Sequence, residues 1–81
     1  MTEQIRVVVI DDHPVVRSGL KAVLLTNSGF EHVGEGSTGE EAVDLAERLL
    51  PDVMIMDINM PMMDGLEATR RVVAACPSVA V

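Results

Sequence analysis

The sequence predicts an α/β domain built as a doubly wound parallel sheet, and three observations carry that prediction. Ile5–Ile10 (IRVVVI) and Val53–Met56 (VMIM) are nearly continuous apolar runs, as in strands covered on both faces. The segments between them repeat apolar residues at helical spacing, which supplies the right-handed crossovers of a parallel sheet. Both apolar runs stop on aspartate, Asp11-Asp12 after the first and Asp57 after the second.

The elements follow in order. Pro14 suits the first turn of a helix, and Val15, Val16, Leu20, Val23 and Leu24 recur behind it with Arg17 and Lys21 between. Asn27-Ser28-Gly29 ends that helix. Residues 30–34 read as a short second strand. Ser37 and Glu40 have capping-box spacing, with Ala42, Val43, Leu45, Ala46, Leu49 and Leu50 as the apolar face and Pro51 as the stop. After the strand ending at Asp57 comes a loop, residues 58–63, containing Pro61. Asp64 and Glu67 repeat the capping spacing, and Leu66, Ala68, Thr69, Val72 and Val73 fill the inner side of a third helix. Cys76-Pro77-Ser78 turns the chain, and residues 79–81 look like the opening of a fourth strand.

Composition narrows the function classes. A chain of 81 residues is one small domain at most, and 48% apolar content argues against disorder. Phe30 is the only aromatic residue, so the core rests on aliphatic side chains and methionine. Thirteen acidic residues against six basic ones give a net charge of -7, which disfavours a nucleic-acid surface and suits a divalent cation or a basic partner. Cys76 is alone, which excludes an internal disulfide and a zinc cluster. No apolar stretch has transmembrane length, and residues 1–4 lack the start of a signal peptide. The expectation is a cytoplasmic protein without a membrane partner.

The carboxyl ends of strands line the ligand crevice of a doubly wound sheet. If the two apolar strands are neighbours, Asp11, Asp12 and Asp57 converge there. Carboxylates so placed repel one another unless a cation sits among them, and an all-oxygen set suits Mg²⁺. Such a site can receive a phosphoryl group, with charge on its oxygens offset by the metal while a carboxylate attacks in line. The plainer alternative is that each Asp caps a helix or forms a turn, which is the reading for Asp64. Asp44 and Asp52 read as solvated, His13 as a positioning or surface residue, His32 as exposed, and Cys76 as packing. Met54 and Met56 belong to the core, whereas Met60, Met62 and Met63 line the loop. Neither G-x-G-x-x-G nor a P-loop is present, which disfavours nucleotide binding. A phosphate-ester hydrolase would want D-x-D, and the sequence has Asp57-Ile58-Asn59 instead.

The runs VIDDHP (residues 9–14) and VMIMDINMPMMDG (residues 53–65) resemble the receiver domain of bacterial two-component response regulators. DDHPVVRSGL, GEGSTGEEAV and MDINMPMMDGLEATR are most similar to the subfamily whose receiver precedes a LuxR-type helix-turn-helix domain. The resemblance covers essentially all of residues 1–81 and implies a flavodoxin-like (CheY-like) fold, five parallel strands in the order 2-1-3-4-5, cut within or after the fourth strand. It implies that Asp57 accepts a phosphoryl group from the phosphohistidine of a sensor histidine kinase. It further implies that Asp12, Asp57 and the main-chain carbonyl of Asn59 ligate Mg²⁺, that Asp11 acts through metal-bound water, and that Pro61 and Gly65 shape the loop. The family is classed as regulators rather than enzymes.

By the same resemblance, the switching Ser or Thr, the Lys, the last two helices and the DNA-binding domain lie beyond Val81. On that expectation the helix over residues 14–27 lacks a neighbour, its side of the sheet is partly uncovered, and the chain is marginal as a monomer or self-associates. The competing function is a signalling-incompetent fragment that only folds or oligomerises.

Overall fold

The computed structural model describes residues 3–60 and 63–81; Pro61 and Met62 in the loop lie outside the described residues. Six elements alternate: β1 (Ile5–Ile10), α1 (Pro14–Leu25), β2 (Phe30–Gly36), α2 (Gly39–Leu49), β3 (Val53–Met56) and α3 (Gly65–Ala75). The three strands are parallel in the order β2-β1-β3. After α3, Ala80 forms a parallel bridge to Val53, with the Met54 N–H donating to the Ala80 carbonyl at 2.7 Å. Residues 79–81, read as the opening of a fourth strand, make this one bridge beside β3 and no further strand of the sheet.

Successive strand residues face opposite sides of the sheet, and the two sides are unequally covered. Val8, Ile10 and Met54 face α2 and α3 and form the larger core with Ala42, Ala46, Ala68 and Val72. Cys76 is buried in the same cluster, which bears out its packing role. Val7 and Val9 face α1, where Leu24 is the helix's one buried residue, flanked by Leu20 and Phe30. The α1 stripe is thus narrower than its periodicity predicts: Val15 is 84% exposed, and Val16 and Val23 also face solvent. A single helix lying over β1 and β2 covers only one line of contact, and Ile55 of β3 is left 37% exposed on that side. Leu50, Leu66 and Val73, expected inside, are exposed as well, since each falls outside the line where α2 meets α3 and the sheet.

Three local readings change. The cap of α2 is Thr38, whose hydroxyl accepts from the Glu41 N–H at 3.1 Å. Glu41, one residue later than expected, reaches back to the Ser37 N–H and hydroxyl at 3.0 Å, and these bonds hold its pKa below the usual range. Asp64 caps α3 as expected, but Glu67 turns to Arg70 and Arg71 at 3.1 Å instead of closing the box, and these arginines lower its pKa. β2 runs two residues further than predicted, to Gly36, and contains a bulge where Val7 pairs with His32 but Val8 pairs with Gly34. Strand residues three apart normally face opposite ways; the extra residue brings His32 and Glu35 onto the α1 side together.

Arg6 ends α2 from outside the helix. Its guanidinium donates to the Leu49 and Leu50 carbonyls at 2.8 and 3.0 Å, and Leu50 closes the helix in the left-handed region at φ 46°. Asp52, exposed as expected, also accepts from the Arg6 N–H at 2.8 Å, tying the start of β3 to β1.

Candidate acidic site

The sheet places the carboxylates by carrying its ladder one residue past each strand. The Asp11 N–H donates to the Gly36 carbonyl at 3.1 Å, and the Asp57 N–H to the Ile10 carbonyl at 3.0 Å. Connections leave β1 toward β2 on one side and arrive at β3 on the other, so a crevice opens between β1 and β3 at their carboxyl ends. Asp11 and Asp57 then make the same turn. Asp11 Oδ1 accepts from the His13 N–H at 2.9 Å, and Asp57 Oδ1 from the Asn59 N–H at 3.2 Å. The turn-forming alternative is therefore true of both residues, but it uses only one oxygen of each.

Asp11, Asp12, His13 and Asp57 each offer a ligand atom, and these atoms all lie within 4.8 Å of one another. His13 Nδ1 stands among the carboxylates, 2.7 Å from Asp11, 2.9 Å from Asp12 and 3.9 Å from Asp57. The hydrogen bond to Asp11 and then the charge of Asp12 raise the His13 pKa above its usual value. His13 is nonetheless a surface residue, its side chain 63% exposed. Its Nδ1 is in hydrogen-bond contact with Asp11 Oδ1, and Asp12 Oδ1, although 2.9 Å from the same nitrogen, is buried without a well-aligned hydrogen bond among the described residues. A shielded carboxylate oxygen with no well-aligned donor, next to two further carboxylates, fits an oxygen-seeking divalent cation.

Gly65 lets the β3–α3 loop approach this edge. A Cβ there would run into the Asp57 carbonyl oxygen and come within 2.7 Å of Ile58 Cα, while the Gly65 N–H donates to the Ile58 carbonyl at 2.9 Å. Asn59 is exposed at the same edge. A separate open groove of about 650 Å³ lies between α2 and α3, lined by Glu40, Met63, Asp64, Glu67 and Arg71. It gathers no comparable set of ligand atoms, so the chemistry is assigned to the sheet edge.

Arg17, spaced as a solvent-facing helix residue, donates to the Asp11 carbonyl at 2.7 Å and lies 3.4 Å from Glu35. His32, expected to be exposed, has a side chain only 9% exposed, because the bulge and α1 cover it. Neither placement has a signal in the sequence: a bulge leaves no periodicity to read.

Residues 7–81 match the response regulator receiver domain. The chain is 47% identical over 78 residues to the transcriptional regulatory protein DegU of Brevibacillus brevis, covering 96% of this chain and 33% of that protein. The response regulator domain of Thermotoga maritima CheB superposes with a TM-score of 0.91 at 38% identity, over 95% of this chain and 58% of that one. A LuxR-family response regulator from Aurantimonas sp. SI85-9A1 gives 0.89 at 31% identity, over 95% and 55%. The chain spans about a third of the length of the curated relatives it matches. It belongs to the receiver domain family of two-component response regulators, with its acidic cluster forming a receiver-type phosphoacceptor site.

Proposed function

We propose that Asp57 takes a phosphoryl group from the phosphohistidine of a sensor histidine kinase. A carboxylate oxygen of Asp57 attacks phosphorus, the P–N bond breaks, and the leaving imidazole keeps the bond's electron pair and takes up a proton. Asp12, Asp57 and the Asn59 main-chain carbonyl would hold Mg²⁺, with Asp11 acting through metal-bound water. When bound, Mg²⁺ offsets negative charge on the phosphoryl oxygens. The observation that carries this reading is the convergence of Asp11, Asp12, His13 and Asp57 within 4.8 Å at the sheet's crevice. In this role the protein is a regulator acted on by its kinase, not an enzyme with its own substrate.

Residues 1–81 are, on this reading, the N-terminal part of a receiver domain in a longer transcriptional regulator. The likeness to DegU and to the LuxR-family regulator supports a helix-turn-helix output domain, which would make the DNA contacts outside these residues. A cytoplasmic location is in keeping with the lone free Cys76 and with a kinase partner; no described helix is long and apolar enough to cross a membrane. The exposed Val15, Val23 and Ile55 support self-association of the 81-residue chain. Sedimentation is expected to show species above monomer at rising concentration, and a monomer with low dye binding throughout would rule this out.

The phosphoryl assignment is tested by intact mass after incubation with a small acyl phosphate and Mg²⁺. The wild type is expected to gain one phosphoryl group and Asp57→Ala none. Equal gain in the variant would move the acceptor elsewhere. No gain in the wild type would favour a chain that folds or associates without transferring phosphate.

A further inference from the structure

We infer that Arg17 is a positioning residue for the metal and phosphoryl site, held in place by Glu35 and His32 across the β2 bulge; this rests on the function proposed above. The Arg17 guanidinium donates through one terminal nitrogen to the Asp11 carbonyl at 2.7 Å. That carbonyl belongs to the planar peptide joining Asp11 to Asp12. Fixing its direction therefore sets the angle at which both carboxylates leave the backbone, without touching either of them. Arg17 Nε lies 3.4 Å from Glu35 Oε1, so the side chain is held at two atoms facing different ways. A planar guanidinium can serve two such acceptors at once; an ammonium on a flexible stem cannot hold both in the same way.

The anchor behind Arg17 is unusual for a surface ion pair. Its side chain is 19% exposed, and beyond Glu35 stands the buried His32 ring, with Nε2 at 3.4 Å from Glu35 Oε2 and no well-aligned hydrogen bond. Only the bulge between the Val7 and Val8 pairings lets residues 32 and 35 share this face. The chain of contacts runs from β2 through α1 to the β1–α1 turn, and it ends on the acidic site's backbone. Groups that orient ligands from behind commonly control metal affinity about tenfold or more.

The test uses the 81-residue chain and Mg²⁺ alone, read by NMR shifts of the Asp12 and His13 amides, with metal-free unfolding midpoints measured in parallel. Arg17→Ala is expected to weaken Mg²⁺ binding about tenfold and to move the Asp12 amide resonance before any metal is added. Arg17→Lys and Glu35→Gln are expected to fall between it and the wild type, and they carry the test if Arg17→Ala does not fold. Arg48→Ala, which removes an exposed arginine paired with Asp44, is expected to leave Mg²⁺ binding unchanged. Affinity within twofold of wild type in all three site variants would overturn the inference, even with lowered midpoints, because a merely structural residue behaves that way. An equal loss in Arg48→Ala would overturn it too, by showing a general charge effect. A wild type that binds no Mg²⁺ would instead bring down the metal reading itself, and this inference with it.

Discussion

Gly65→Ala is expected to destabilise the protein by about 3 kcal/mol, at the upper end of what one added methyl group costs in a packed place. The reason is what the new Cβ would meet. It would run into the Asp57 carbonyl oxygen and lie 2.7 Å from Ile58 Cα and 2.8 Å from the Asp57 carbonyl carbon. These are backbone atoms, tied by the Asp57 N–H bond to Ile10 and the Gly65 N–H bond to Ile58. No side-chain rotamer can relieve the overlap, so either α3 backs away from the sheet or the turn after β3 shifts. The first opens the contact around Ala68 and Val72, both fully buried; the second moves Asp57. Small domains have roughly 5 kcal/mol of stability to lose, so the loss is a large fraction of the whole.

Gly19→Ala is the internal control. Gly19 lies mid-helix in α1 with nothing within 4 Å of the added Cβ, and there alanine is expected to stabilise by about 0.8 kcal/mol. Urea unfolding of the two variants beside the wild type gives both signs in one experiment. A Gly65→Ala variant within about 0.5 kcal/mol of the wild type would refute the close-packed turn.

The difference between those two glycines shows where the sequence can be read and where it cannot. Gly65 follows Asp64 at a helix start, and close backbone approach is the natural reading there. Which atoms it approaches depends on the loop's path, and no local pattern encodes that. β1 and β3 are legible because each is a nearly continuous apolar run, and Asp11, Asp12 and Asp57 because those runs end on them; β2, with Glu31, His32 and Glu35, has no such run. Adjacency of β1 and β3 is not dictated by the alternation of strands and helices; the resemblance implies it, and the sheet order β2-β1-β3 bears it out. The α1 burial was misread because periodicity reports which residues can face inward, whereas coverage depends on the neighbours present. Thr38 replaced Ser37 as cap because two hydroxyl residues stand together before three helix-compatible ones, and only the turn geometry chooses between them. Arg17, Glu35 and His32 escaped detection for one shared reason, since the bulge that unites them breaks the two-residue rhythm on which a strand is read.

Asp12→Ala is expected to have opposite effects with and without Mg²⁺, and this reversal is the sharpest test of the acidic site. Without metal, Asp12 is a liability. Its Oδ1 is buried without a well-aligned hydrogen bond among the described residues, and it lies among two further carboxylates whose ligand atoms are within 4.8 Å. Removing it relieves repulsion and an unmet acceptor, worth roughly 1 kcal/mol. What is lost is attraction to the exposed His13 imidazole, and a solvent-screened pair of that kind contributes little. The metal-free variant should therefore melt above the wild type by a few degrees, since about 1 kcal/mol moves the midpoint of a domain this size by roughly 4–8 °C. With Mg²⁺ the order inverts. A ligand at a hundred times its dissociation constant stabilises the native state by about 2.7 kcal/mol, and the wild type should gain that while Asp12→Ala gains almost none. Melting both proteins in chelator and in excess Mg²⁺ gives four midpoints whose lines cross. Parallel lines would mean that Asp12 does not bind the metal. A variant already less stable in chelator would mean that its carboxylate does structural work in the empty site, and the account of a strained acidic cluster awaiting a cation would be wrong.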